Sequence, residues 1–319
     1  MTAGRRHLLA AGLGAAAALR AVRARADNPE KLTLVVTTAP PDPPCHCFFY
    51  ARERGFYRDR VLDVTITAVT NSGNGIRAVL AGSADLTWVD PGTALQAIDG
   101  GGPLRVVSSF MPHLDYTLLG RKGVAGTRQL PGLRFAVASI GGPSQVIPRR
   151  MIQLAGGDPS RVQWVALGNS AARIQALLAG TVDATILTSS FVPRLVATGD
   201  VVVLDVAANA LPNLIYAWEV ATTATRDNRR AALRRFVAAT ADAVRWAEEN
   251  PADAVAISQA LLPEMPPDQV NASIRSYLNR GFWSDGKLSP SAFAFTTRTF
   301  LDAGVIRAEP RYSDVAGDA

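Results

Sequence analysis

Cysteine is almost absent from this chain of 319 residues: Cys45 and Cys47 are the only two, one residue apart. No long-range disulfide can form, so a small domain stapled by disulfides is excluded. Charged residues are sparse, 19% against 48% apolar, which excludes a disordered chain. Gly and Pro follow no period, which excludes a collagen-like rod. No run of 18 or more apolar residues is free of charge, so no membrane span is expected in the mature chain. A Lys/Arg block is missing as well. The formal charge is +6, but residues 1–26 hold five arginines and no acid, leaving 28 basic and 27 acidic residues in the rest. A near-neutral body offers no electrostatic argument for a nucleic-acid partner. The length predicts about two domains with ample core.

What is present begins with an address. Arg5-Arg6 opens a basic start, a run of Ala, Gly and Leu extends from Leu8 to Leu19, and Ala24-Arg25-Ala26 offers small residues before Asp27. These are the parts of a signal peptide over residues 1–26, which implies export to an oxidising compartment. The twin arginine and weakly apolar middle match a twin-arginine signal; an ordinary Sec signal is the open alternative. Neither cysteine lies at the signal end, which argues against a lipoprotein.

An internal echo organises the remainder. Residues 71–87, NSGNGIRAVLAGSADLT, return at 169–185 as NSAARIQALLAGTVDAT, with nine of 17 positions identical at an offset of 98. Leu62–Val69 and Arg161–Leu167 read as strands upstream of each copy. Each unit is therefore a strand, a polar turn, an amphipathic helix, a glycine stop and a strand. Ser72 and Ser170 are placed to cap the helices. Ile76, Val79, Leu80 and Ile174, Leu177, Leu178 form the buried faces. Gly82 and Gly180 suit left-handed turns. A strand–helix–strand unit implies parallel strands with a right-handed crossover, and two copies so far apart imply two similar α/β lobes rather than a solenoid. Around them, 32–36, 104–107, 133–138 and 201–205 read as strands. Stretches 116–119 and 215–221 read as extended, the second able to run back to the first lobe. The end is helical, roughly 227–249, 251–261, 267–279 and 290–303, broken at Asn250-Pro251 and Pro263–Pro267.

Several stretches, in order, resemble one family. Phe49–Tyr57 is similar to its helix ending in an aromatic-flanked glycine, and Ile76–Asp85 and Ala171–Ala184 to its two Ala-Leu-Gly-Asp units. Leu130–Val137 resembles its opening of the second lobe, and Trp246–Pro251 its late Trp-Glu-Asn-Pro helix. The family is that of the substrate-binding proteins of ABC importers for sulfonates, taurine, nitrate and thiamine precursors. The resemblance implies an α/β, type II periplasmic-binding fold, with two α/β lobes joined by two crossover strands. The expected division is a signal peptide at 1–26, lobe I at 27–118, lobe II at 119–217, and a mainly helical second part of lobe I at 218–319. It further implies a periplasmic receptor, not an enzyme, that binds a small molecule in a cleft and serves an importer permease. No cofactor and no metal are expected, and a monomer is the expected state.

Candidate contacts are the strand-to-helix junctions, since ligands on open parallel sheets bind beyond the carboxyl ends of strands, where helix N-termini offer free N–H groups. In lobe I these are His46, Cys47 and Phe48; Ser72 and Gly73; and Trp88 and Asp90. In lobe II they are Ser139, Gly141 and Gly142; Asn169 and Ser170; and Ser189. Trp218 on the second crossover is added. Asp90 before Pro91 is equally an N-cap, Trp88 equally core, and Glu219 is free to pair with a ligand amine or with Arg121. Three readings of Cys45-His46-Cys47 stay open: a tight disulfide, a weak metal signature with His46 or His113, or small polarizable groups lining the pocket. A rival function follows from the same residues. The superfamily includes a sulfinate desulfinase with a nucleophilic Cys after its first strand, where Cys45 lies, with His46 or His113 as base. A sensor subunit feeding a signalling protein is a third. Helix ends with Ser and Asn suit an anion, and Trp88, Phe48, Phe191 and Trp218 suit a flat body, so the expected ligand is an organic anion.

Overall fold

The structure, a computed structural model, describes residues 28–316. The leader expected at 1–26 lies outside them. Among the described residues no helix is long and apolar enough to cross a membrane.

Among the described residues, ten strands form two five-stranded mixed sheets of the same design. The first contains β1 (Glu30–Val36), β2 (Leu62–Ala68), β3 (Leu86–Val89) and β4 (Leu104–Met111). The chain then crosses in β5 (Tyr116–Arg121) to a second sheet with β6 (Arg134–Val137), β7 (Gln163–Ala166), β8 (Ala184–Thr188) and β9 (Val201–Val206), and returns in β10 (Ala217–Thr222). The orders are β2-β1-β3-β10-β4 and β7-β6-β8-β5-β9. In each, the first three strands are parallel, and the strand that crossed over lies antiparallel between the third strand and the outer one. Burial follows position: central β3 is buried at all four residues, whereas edge strand β2 alternates buried and exposed along its first half.

The echo is a structural device. Asn71 accepts the N–H of Asn74 and Asn169 accepts that of Ala172, both at 2.9 Å. Asparagine, not the expected Ser72 or Ser170, therefore caps the two helices Ser72–Leu80 and Ser170–Leu178, and the serines are their first helical residues. At the far ends Gly82 and Gly180 take φ of 72° and 71°, the left-handed turn that a Cβ would strain. The Asp of each copy accepts a backbone N–H of the lobe's first strand, and Thr87 and Thr185 donate hydroxyls to the carbonyls of Val35 and Ala136 at 3.2 and 3.0 Å.

The helical end packs mainly on lobe I. In helix Arg230–Glu249, Leu233, Phe236, Ala239, Ala243 and Ala247 recur at helical spacing and are buried. Phe236 stacks between Phe48 and Tyr57, with ring centroids 6.0 and 5.4 Å away. One element departs from this plan. Helix Pro267–Asn279 reaches lobe II, where Gln269 donates to the Ser190 carbonyl at 3.2 Å, and its Tyr277 donates to the buried carboxylate of Asp115, just before the first crossing.

Candidate ligand cavity between the sheets

The parallel strands of sheet one end at a cavity of about 400 Å³ that both lobes line, a volume suited to a small ligand. Thr37 and Thr38 follow β1, Asn71, Ser72 and Gly73 follow β2, and Asp90 follows β3. The loop after β6, residues 138–144, forms the opposite wall. The beginnings of the two crossings close the back, with Tyr116 and Tyr216 5.4 Å apart and Trp88 6.1 Å from Tyr216. These three rings make a continuous aromatic floor where the two crossings begin. Burial pushes the Tyr116 phenol up to about 12 and that of Tyr216 well above its ordinary value, so both are neutral donors.

Local chemistry sets the lobe II wall. The N–H of Ala138 donates to Ser144 Oγ at 2.9 Å and that of Gly141 to Gln145 Oε1 at 2.7 Å, tying the loop to the first turn of helix Pro143–Leu154. Gly141 has φ of 78°, and a Cβ on Gly142 would run into Ser139 Oγ. The glycine pair is what lets backbone approach the cavity here. Across from it, Asp90 caps helix Pro91–Asp99, accepting the N–H and hydroxyl of Thr93 at 2.9 and 2.7 Å. Cap and cavity wall coincide in this residue. Three helices, starting at Ser72, Pro91 and Pro143, thus direct their positive ends at one volume.

Of the candidates, Ser72, Gly73, Trp88, Asp90, Ser139, Gly141 and Gly142 line this cavity. The others do not. His46, Cys47 and Phe48 are fully buried in helix His46–Glu53, against the helical end of the chain. The chain spends Thr37 and Thr38 on the cavity before turning away, so the junction lies nearer the strand than residues 43–48. Trp218 stacks on Phe293 at 5.5 Å; alternate residues of a strand face opposite ways, and its neighbour Ala217 is the one at the cavity. Asn169 is exposed beside its helix, and the Ser170 hydroxyl accepts from Arg173 at 3.1 Å. Ser189 donates to Asp115 beneath helix Pro267–Asn279. Only one of the two Asn-Ser corners therefore reaches the cavity.

Tyr116 and Tyr216 were not among the candidates. A signal existed: one tyrosine opens each crossing segment. Thr93 and Gln96 continue the face of the helix that Asp90 caps.

The Cys-His-Cys segment takes none of its three expected roles. Both cysteines are free and buried, and neither lines the cavity. Among the described residues no group of three or more His, Cys, Asp or Glu could hold a metal. Burial pushes both thiols well above their ordinary value, the reverse of an activated nucleophile. His46 Nε2 faces the Pro41 carbonyl at 3.0 Å and Nδ1 faces Ser258 Oγ at 2.9 Å. A carbonyl only accepts, so Nε2 carries the proton and Nδ1 accepts from Ser258. Ser258 is also 2.7 Å from the Tyr50 hydroxyl. Glu219 is fully buried, does not line the cavity and does not meet Arg121; it accepts from Ser108 at 2.7 Å, while Arg121 meets Asp183.

Two α/β sheets exchanging a strand each, with a cavity at their strand ends, define the periplasmic-binding-protein fold. The sequence matches the family described as NMT1/THI5 like over residues 43–254, well over half of the chain, and the chain belongs to that family. The substrate-binding lineage expected from the motifs is thereby found. Solved structures agree on the fold. The aliphatic sulphonate binding protein SsuA of Escherichia coli superposes with a TM-score of 0.75 at 17% identity, over 92% of this chain and 94% of that one. The alkanesulfonate-binding protein SsuA of Xanthomonas axonopodis pv. citri, bound to MOPS, gives 0.73 at 16% identity, over 90% and 98%. The nitrate-binding protein NrtA of Synechocystis PCC 6803 gives 0.66 at 12% identity, over 87% and 86%. No curated protein matches the sequence significantly.

Proposed function

We propose that this protein is an exported solute receptor that encloses a small organic anion with a flat body between its lobes and delivers it to the permease of an ABC importer. The observation that carries this reading is the convergence of three helix N-termini on a cavity floored by Trp88, Tyr116 and Tyr216. Helix N-termini favour negative charge, and aromatic rings supply a flat apolar wall with polar edges. That relatives of this fold carry sulfonate- and nitrate-binding descriptions supports an anion. Ser72, Gly73, Ser139, Gly141 and Gly142 are the proposed polar contacts. Lobe I, residues 27–118 with 218–319, and lobe II, residues 119–217, close on the ligand as a monomer, which excludes water and creates the state a permease reads. Residues 1–26 are the proposed export leader, placing the mature protein in the periplasm.

The surroundings of Cys45 and His46 argue against the desulfinase-like alternative. Cys45 is fully buried away from the cavity, and its neighbour His46 is held by Pro41 and Ser258.

A thermal-shift panel of alkyl and aryl sulfonates, aromatic carboxylates, pyrimidines, nitrate and bicarbonate tests the proposal. Saturating ligand raises the midpoint by mass action. An organic sulfonate or aromatic acid is expected to raise it most; stabilisation by nitrate or bicarbonate alone overturns the organic ligand.

A further inference from the structure

The repeat relates two cavities as well as two lobes. The first cavity takes Gly73, Thr93 and Gln96 from lobe I, and Gly141 from the loop after the first strand of lobe II. A shift of 98 residues turns Gly73, Thr93 and Gln96 into Ala171, Phe191 and Arg194. The shift holds beyond the echo, since Asp90 and Thr188, also 98 apart, are both extended residues from which a helical segment starts. The first strands correspond at a shift of 101, because Leu34 pairs with Leu86 in one sheet and Phe135 with Ala184 in the other. The counterpart of Gly141 is therefore Pro40. Pro40, Ala171, Phe191 and Arg194 all line a second cavity, of about 660 Å³. The lobes exchange roles between the two: each cavity joins the helix starts of one lobe to the first-strand loop of the other.

The chemistry is not repeated. Gly73 becomes Ala171 and Thr93 becomes Phe191, and Ile174, Leu178 and Leu195 continue the lobe II wall. The helical end of the chain, which has no counterpart in lobe II, adds Leu262 and Met265. Leu178, expected in the buried face of its helix, is 49% exposed; it lines the cavity instead of the core. The charged residues of the lining are Arg194 and Glu264, one of each sign and both exposed. Opposite charges at one rim leave no net attraction for an ion, whereas a hydrocarbon body gains by leaving water for such walls. A cavity of this size and lining, shared by two lobes, has the character of a small-molecule site.

We infer that the second cavity is a separate binding site for a small, uncharged, largely hydrocarbon molecule, held between Ile174, Leu178 and Phe191 of lobe II and Leu262 and Met265 of lobe I. The duplication supplies the space, and the residue changes between the copies convert it from a polar cavity into an apolar one.

The test titrates 1-butanol, 1-hexanol and 1-octanol into the protein by calorimetry. Affinity is expected to rise ~4-fold per methylene, as for a chain leaving water. Leu178→Gln and Met265→Gln, one on each lobe, should each weaken 1-octanol at least ~5-fold. Leu178 is half exposed, so its variant keeps the fold. Ile140→Asn changes an exposed residue of the first cavity and should leave 1-octanol unaffected. No binding of 1-octanol, or binding that neither glutamine variant weakens, overturns the inference. So does a loss in Ile140→Asn alone, which puts the alcohol in the first cavity. Octanesulfonate displacing 1-octanol several-fold better than 1-octanol displaces itself overturns the uncharged class. The anion proposal stands or falls on its own thermal-shift panel, whatever these titrations give.

Discussion

Asp183 holds Arg134 as Asp85 holds Thr33: each carboxylate accepts the backbone N–H of its lobe's first strand, at 2.9 and 2.8 Å. The conserved spacing within the chain thus has a mechanical origin. Each Asp ties the exit of a helix to the start of the neighbouring strand, and the Thr two residues on ties the next rung. The polar ends of the echo secure each sheet's central strands; they do not by themselves mark a ligand site.

Ser258 links two buried polar groups, so Ser258→Ala should be disproportionately harmful. It would leave His46 Nδ1 and the Tyr50 hydroxyl without partners. Each orphaned buried group costs about 1–3 kcal/mol, so a loss of about 2–6 kcal/mol is expected in urea unfolding. A loss below about 0.5 kcal/mol would show that the chain of hydrogen bonds is not maintained in solution.

Glu219 gives a pH signature. Burial raises its carboxyl from 4.5 to about 8, so the folded state holds a proton that the unfolded state releases above 4.5. Stability from this group is full below pH 4.5, falls as pH rises, and levels off above 8, at about 1.4 kcal/mol per unit at most. His46, lowered from 6.5 to about 4 by burial, acts oppositely: its contribution is full above 6.5 and is lost as pH falls towards 4. Comparing Glu219→Gln with the native protein cancels the histidine. The variant should be the more stable at pH 8, with the difference shrinking toward pH 5; a difference independent of pH refutes the assignment.

Asp90 is the one charged residue among those lining the cavity. Asp90→Asn keeps an oxygen for the Thr93 N–H, so the cap and the midpoint should change by under about 1 kcal/mol. Removing a negative charge from the wall should tighten binding of an organic anion several-fold in calorimetry. Weaker binding instead would indicate that the ligand presents a cationic group to Asp90.

Cys45 and Cys47 should be inert in the native protein. A thiol-specific chromogenic reagent is expected to label neither until denaturant is added, because both are buried and held as thiols. Cys45→Ser should leave the ligand-induced thermal shift intact. Rapid labelling of one thiol under native conditions would contradict this placement.

The residue pattern alone was enough for the lobes. Period-two and period-3.6 apolar spacing, glycine stops and a repeated motif are local signals, and local signals determine elements and their pairing rules. It also pointed to the right edge of each sheet, since strand-to-helix junctions are legible in sequence; Ser72, Asp90 and the Ser139–Gly142 loop reach the cavity for that reason. What tertiary structure alone decided is which junctions face the same space. His46, Cys47 and Phe48 follow a strand but turn into the core. Asn169 repeats Asn71 yet stays in solvent beside its own helix. Tyr116 and Tyr216, 100 residues apart, become neighbours only because two crossing strands bring them together. Convergence of distant residues depends on the relative placement of two lobes, and the long-range contacts that fix that placement leave no periodic trace in the chain.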